Sequence, residues 1–423
     1  MNASKKVKLT KEKKLVMLPL FLIVLLDMLG LGIIIPILAP IFLNTGHSIL
    51  PPYFQDSMRN LLLGILISTY PVFQFFGAPL LGALSDRYGR KKILLISLIG
   101  TFVGYIIFGI GISANNVYLL FISRALDGFT GGNISIALSS IADLSDEKAK
   151  ARNFGLIGMA FGIGFILGPY IGGKLADSSI VSWFNFATPL WFAAILTLFN
   201  IILLLINYNE TLKTRIHTKI NLFTGFRNIG KALRLPNLRV MFIVIFLLGL
   251  GFNFFTQFFQ VYLIKKFSYN QSQIGDIFAY IGLWIALTQG ILTRLMSKWF
   301  KPKQILPFSV LTLSIAFIAL LLPNNPSYIF FIVPFVAMSQ GLTFPNATAI
   351  VSNLSGKESQ GEILGINQSM QSLAQSISPV IAGMIVTFNR ALPIIAASLI
   401  TIIAWLAFII FFREKKEELF HEV

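Results

Sequence analysis

The stretch Gly82-Ala-Leu-Ser-Asp86-Arg87-Tyr-Gly89-Arg90-Lys91-Lys92 lies between two long apolar runs. One carboxylate and four cations are packed into these few residues. Inside hydrocarbon each charge would cost on the order of several kcal/mol. The stretch therefore belongs at a membrane surface, and its wealth of Lys and Arg marks that surface as the cytoplasmic one. A loop this short makes the helices it joins antiparallel neighbours, and Gly82 and Gly89 let the turn lie close against them. A plain basic hairpin would need only the cations. Glycines and Asp86 at fixed offsets ask for a further backbone and pairing role.

Working outward, the same reading extends over the whole chain. Of its 423 residues 55% are hydrophobic and only 12% charged, whereas about a quarter of an ordinary globular chain is charged. Twelve apolar spans are expected, at 15–43, 58–82, 92–112, 115–142, 153–175, 184–207, 239–264, 273–296, 304–323, 327–351, 361–386 and 391–412. Each is long enough to cross a core of about 30 Å as a helix. The predicted fold class is thus an all-α membrane protein. The net charge of +17 would suggest a nucleic-acid partner if it formed one exposed face. Instead the alternate loops and both tails carry most of the Lys and Arg, while Arg59, Lys174, Lys265, Lys266 and Arg390 lie on the other side. That asymmetry is orientation: both termini are expected in the cytoplasm, with no nucleic-acid partner. The first apolar run is full length and lacks an A-x-A site, so no cleavable signal is expected. With no cysteine there are no disulfides, thiolate metal sites or cysteine nucleophiles.

Charges inside the spans are the candidate site. Asp27 lies about twelve residues into the first span, about 18 Å at 1.5 Å per residue, which is near the midplane. A carboxylate there can take up and release a proton, and intramembrane acids mark ion or substrate pathways. The second span adds Tyr70 and Gln74. In the fourth, Arg124 and Asp127 are three residues apart, share a helix face and can neutralise one another; Gly128, Gly131, Gly132 and Asn133 follow. Asp143 ends that span within reach of the Gly82–Lys92 loop. In the fifth, Gly155, Gly164, Gly168-Pro169 and Gly172-Gly173 predict close helix contact and a bend at the proline.

A polar, basic segment at 209–237 divides the chain into bundles 1–208 and 238–423. Its Phe223/Phe226/Ile229/Leu233 pattern predicts a short helix on the inner membrane surface. Gly128-Phe-Thr-Gly-Gly-Asn133 recurs as Gly341-Leu-Thr-Phe-Pro-Asn346, so the bundles are direct repeats, with a site expected between them near the midplane. The second bundle would contribute Asn253, Gln257, Asn346 and Gln371. His47, His217 and His421 lie outside the spans, and no H-E-x-x-H, G-x-S-x-G or phosphate-binding loop is present. An enzyme is not expected.

Taken together, Gly82–Lys92, Leu26-Asp27-Met-Leu-Gly30-Leu-Gly32, the Arg124 region and Gly164-x-x-x-Gly168-Pro169-x-x-Gly172-Gly173 resemble the major facilitator superfamily. Within it, the likeness is to the twelve-span drug:proton antiporters of the tetracycline-exporter branch, and it covers essentially the whole chain. The resemblance implies a monomeric bacterial inner-membrane transporter with two six-helix bundles related by a pseudo-twofold axis. It also implies no cofactor, a proton gradient as driving force and a small organic substrate moved outward. The alternative is an importer or facilitator of a metabolite or siderophore-like ligand. By the same likeness Asp86 would face the N-terminal end of the eleventh span and Arg90 would pair with Asp143. Gly82, Asp86, Arg87, Gly89, Arg90 and Asp143 would then form a conformational gate, Arg124 would assist proton transfer, and the Gly168-Pro169 bend would favour exchange over leak. One departure stands out. The tetracycline exporters also use an acid in the ninth span, and Ile305–Leu322 has none.

Overall fold

In a computed structural model, residues 11–43, 48–144, 147–212, 223–235, 238–354 and 360–412 are described, and they form helices and connecting turns with no strand among them. The tails expected in the cytoplasm and residues 213–222 of the expected linker lie outside the described residues. The helices are α1 (Lys11–Leu43), α2 (Asp56–Tyr88), α3 (Arg90–Ser113), α4 (Val117–Thr130), α5 (Asn133–Leu144), α6 (Glu147–Leu175) and α7 (Thr188–Asn207). They continue as α8 (Thr224–Arg234), α9 (Arg239–Phe267), α10 (Gln271–Leu287), α11 (Thr293–Met296), α12 (Pro302–Ala319), α13 (Ile329–Leu354), α14 (Gln360–Ile385) and α15 (Leu392–Phe411). Among the described residues nine helical stretches are long and apolar enough to cross a membrane. The three other expected spans coincide with α4 followed by α5, with α6 and with α14.

The fourth span departs from expectation. The sequence predicts one segment, 115–142, but α4 stops at Thr130 and α5 starts at Asn133. The interruption is the Gly131-Gly132 pair, which has poor helix propensity and lies directly against α2. A Cβ on Gly132 would meet the backbone of Ala78, and one on Gly131 the phenol of Tyr70. Gly77 and Gly128 bring the two backbones together in the same way, against Phe129 and Tyr70. In the repeated copy Phe344-Pro345 replaces the glycine pair, and α13 runs unbroken through it. The eighth span also departs: a π-helical turn, Thr288–Leu292, separates α10 from α11.

The chain divides into two compact units, Met1–Leu222 with Leu263–Leu283, and Phe223–Tyr262 with Trp284–Val423. These units do not follow the sequence halves, because the C-terminal end of α9 and most of α10 pack with the first unit. Leu20, Val24, Leu94, Leu98, Ile136 and Leu204 centre the core of the first unit. Phe242, Ile245, Leu306, Val351, Ile366 and Phe408 centre that of the second.

Between α6 and α1 the contact is backbone to backbone. Side-chain atoms added at Gly164, Gly168 and Gly172 would run into the carbonyls of Leu25, Leu29 and Ile33 in turn. Both sets repeat every four residues, so each helix presents one continuous ridge to the other. On α1 this ridge is centred about 160° around the helix from Asp27, at 100° per residue. Gluing α6 to one side therefore turns Asp27 to the other. Gly173 points elsewhere, against Gln271 and Gly275 of α10. Helix α6 is continuous through Pro169, and the glycines around it pack closely on α1 and α10. Gly172→Val should lower the unfolding midpoint in detergent by at least several degrees, the consequence of overpacking. Gly230→Ala, with nothing within 4 Å of the new Cβ, should leave it unmoved or raise it slightly, since alanine favours the helix over glycine. Equal midpoints for the two variants would contradict the packing account.

Candidate functional site

Asp27 is 7% exposed, and Asn133, fully buried at the start of α5, donates from Nδ2 to its Oδ1 at 3.3 Å. The break at Gly131-Gly132 is what allows Asn133 to begin a new helix there. Asp27 Oδ2 and Asn133 Oδ1 are buried and lack hydrogen-bond partners among the described residues. Both are acceptors while the carboxyl is ionised, and a proton on Asp27 turns one of them into a donor. The phenol of Tyr105 occupies the space beside Gly30, one turn along α1 on the same side as Asp27.

Next to this pair lies a second charged group. Arg124 forms a buried ion pair with Asp127. The guanidinium also rests over the rings of Tyr70, at 5.0 Å, and Phe108, at 5.5 Å. Gln74 donates to the Gly131 carbonyl at 3.0 Å and to the Tyr70 hydroxyl at 3.3 Å, tying α2 to the break between α4 and α5. Thr101 and Thr130 approach at 3.3 Å, and Ser97 donates to the Thr130 carbonyl. Arg124 thus balances Asp127, and Asp27 has an amide for company in place of a cation. With both acids ionised the group holds a net negative charge in a low-dielectric setting, a state favouring capture of a proton or a cationic ligand.

At the α2–α3 turn Arg90 meets Asp143, the partner the family likeness implies, and also Asp86. Arg90 pairs with Asp86 at 2.6 Å and with Asp143 at 3.3 Å, and it donates to Ser85 Oγ at 2.7 Å. Gly89 has φ +103, a conformation that favours glycine, and a Cβ there would strike Glu210. Gly82 merely has room, with Ser135 Oγ 3.9 Å from a built Cβ. Arg87 is exposed and stacks over Tyr88.

Sequence reasoning passed over Glu210. Its carboxylate accepts the backbone N–H groups of Arg90 at 2.9 Å and Lys91 at 3.2 Å, capping α3 from a distant segment, and those of Thr211 and Leu212 at 3.0 Å each. The available signal was that Glu210 is the sole acid of the basic segment 209–237. Also missed was Lys174, which donates to Asp276 at 2.9 Å and Ser272 at 2.8 Å, joining the C-terminal end of α6 to the start of α10. In the second unit Asn253 and Asn346 donate to carbonyls one turn back, Gly249 and Leu342, while Gln257 and Gln371 are half-buried.

Membrane-length helices carrying a buried acid and a buried ion pair are where ion and substrate pathways are found, secondary transporters among them. The chain belongs to the Major Facilitator Superfamily, whose model matches residues 20–379 and 241–422. It is 32% identical over 362 residues to the class G tetracycline resistance protein of Vibrio anguillarum, covering 85% of this chain and 87% of that one. It is 28% identical over 408 residues to multidrug resistance protein 1 of Bacillus subtilis, covering 94% and 98%. The fold is similar to that of a D-xylose–proton symporter, with a TM-score of 0.77 and 16% identity over 95% of this chain and 98% of that one. The protein is a multi-pass membrane transporter of small substrates and not an enzyme.

Glu210→Ala should strip the cap from α3 and cost about 1–2 kcal/mol, read as a lower unfolding midpoint in detergent. Glu210→Gln, which keeps one acceptor oxygen, should fall between that variant and the parent. A Glu210→Ala midpoint equal to the parent's would remove the capping role.

Proposed function

We propose that the protein exports a small organic molecule from a bacterial cytoplasm in exchange for protons, by alternating access. The observation that carries this reading is Asp27, buried, with one carboxylate oxygen unpartnered among the described residues, beside an already neutralised Arg124–Asp127 pair. The relatives named for drug and tetracycline resistance support the outward direction. Protonation of Asp27 removes the net charge of the cluster; loss of the proton restores it and makes room for a competing substrate. Arg124, always charged, pairs with Asp127 and leaves Asp27 as the acid without a cation, the group assigned to change state. Gln74, Tyr70 and Asn133 position these side chains. Because α12 contains no acid, the substrate is assigned as a small organic molecule and not as tetracycline in particular.

The end bearing Asp86, Arg90 and Asp143 is assigned to the cytoplasmic side, with both termini, and the protein is taken to work as a monomer. Lys174 and Asp276 then form an outer-face contact between the fifth and eighth spans. Half-exposed pairs of this kind contribute only about 0–1 kcal/mol, so this one can part in every cycle. It adds direction to a seam whose closeness comes from Gly173 and Gly275.

Asp27→Asn should abolish accumulation of dye or drug in inverted vesicles with an imposed pH gradient, while membrane insertion stays at the parental level. Undiminished gradient-driven accumulation would exclude the role. The chain contains no cysteine, so Lys174→Cys with Asp276→Cys can be bridged without background by a short thiol-reactive linker. Bridging should arrest transport and cleavage of the linker restore it; transport that continues at full rate in the bridged protein would show that this contact does not open.

A further inference from the structure

We infer that α8 is a docking surface for anionic phospholipid headgroups, one that uses an apolar and a basic face together. Eleven residues, Thr224–Arg234, form this helix, and at about 100° per residue its side chains sort into three faces. The first is turned to protein. Gly225 and Ala232 are buried, Ile229 packs on the core of the second unit, and Asn228 donates to Ser369 of α14 at 3.2 Å. A second face carries Phe226 and Leu233, with Phe223 just before the helix, and these are 51%, 52% and 64% exposed. The third carries Arg227, Lys231 and Arg234, all exposed, and the helix contains no acid.

The simplest alternative is that the cations merely complement the helix dipole. That suits Lys231 and Arg234 in the last turn, but Arg227 sits in the first turn, where a positive charge is unfavourable. An anion outside the helix, met by the exposed basic face, answers Arg227. Position supplies the second argument. Ser369 lies about 16 residues, or about 24 Å, from the far end of α14. In a hydrocarbon core of about 30 Å that sets α8 within several Å of the core boundary, the depth at which interfacial helices lie. There the phenylalanines and Leu233 reach acyl chains while the basic face meets phosphates. A soluble polyanion would use the cations and leave the aromatic face in water; a bilayer accounts for both. The inference rests on the chain being a membrane protein and is independent of what it transports.

The test uses the full chain in nanodiscs of phosphatidylcholine containing phosphatidylglycerol, with bound lipid counted by native mass spectrometry. The parent should retain phosphatidylglycerol over phosphatidylcholine. The triple variant Arg227→Gln, Lys231→Gln, Arg234→Gln should lose at least about tenfold of that preference, given the attraction each cation has for an anionic surface. Lys298→Gln with Lys301→Gln, which removes basic charge elsewhere, should keep it. Phe226→Ser with Leu233→Ser should reduce total retained lipid. Should the triple variant fail to fold, Arg227→Gln alone supplies the reading, with an expected loss of at least about twofold. A preference unchanged in the α8 charge variants, or lost equally in the Lys298/Lys301 control, would overturn the inference. So would displacement of the lipid by glycerophosphate at equal concentration, which would assign the site to free anions.

Discussion

Helix α6 approaches α1 so closely that glycine alone fits along the seam, and this contact fixes the direction in which Asp27 points. Hydrophobic burial provides little drive for helices to associate within lipid, so close backbone approach and interhelical hydrogen bonds decide the packing. Gly164, Gly168 and Gly172 clamp one ridge of α1. The opposite side, bearing Asp27 and Gly30, is thereby presented to Asn133 and Tyr105. The same rule operates between α2 and α4, where Gly77 and Gly128 draw the backbones together and the glycine pair after Thr130 releases Asn133 into a new helix. Small residues set the geometry on which the charge chemistry then depends.

Charged groups at the two ends of the first unit are built differently. Arg90 is buried and meets two carboxylates and a hydroxyl. Removing one partner from a buried charge network costs about 3–5 kcal/mol. Glu210 holds the backbone beneath it, so this end is over-determined. The Lys174–Asp276 contact is half-exposed and weakly stabilising. A unit framed firmly at one end and lightly at the other suits a protein whose helices must part at one surface without losing their fold.

Much of this was legible in the sequence, because bilayers impose simple rules. Long apolar runs, the lopsided basic loops and the charges stranded at 27, 124 and 127 follow from the cost of charge in hydrocarbon, and the Arg124–Asp127 and Arg90–Asp143 partners follow from spacing and family likeness. The interruption at Gly131-Gly132 was not legible. A glycine pair in a transmembrane run reads equally well as packing or as a break, and here it is both: α4 ends before it while Tyr70 and Ala78 lie against it. Glu210 was hidden because it caps a helix more than a hundred residues away. Lys174 and Asp276 looked like unrelated residues at span ends. The polar residues of the second half, Asn253, Gln257, Asn346 and Gln371, are legible as polar groups within apolar spans, and the carbonyls that Asn253 and Asn346 bond, one turn back on their own helices, are seen only in the structure.

In the proposed cycle the Asp27 carboxyl exchanges a proton while Asp127 stays paired. Infrared difference spectroscopy of the protein in lipid, between acidic and alkaline pH, addresses it without any knowledge of the substrate. The account predicts a carbonyl band of a protonated carboxylic acid that disappears in Asp27→Asn and survives in the parent. Superimposable difference spectra from the two proteins would contradict it.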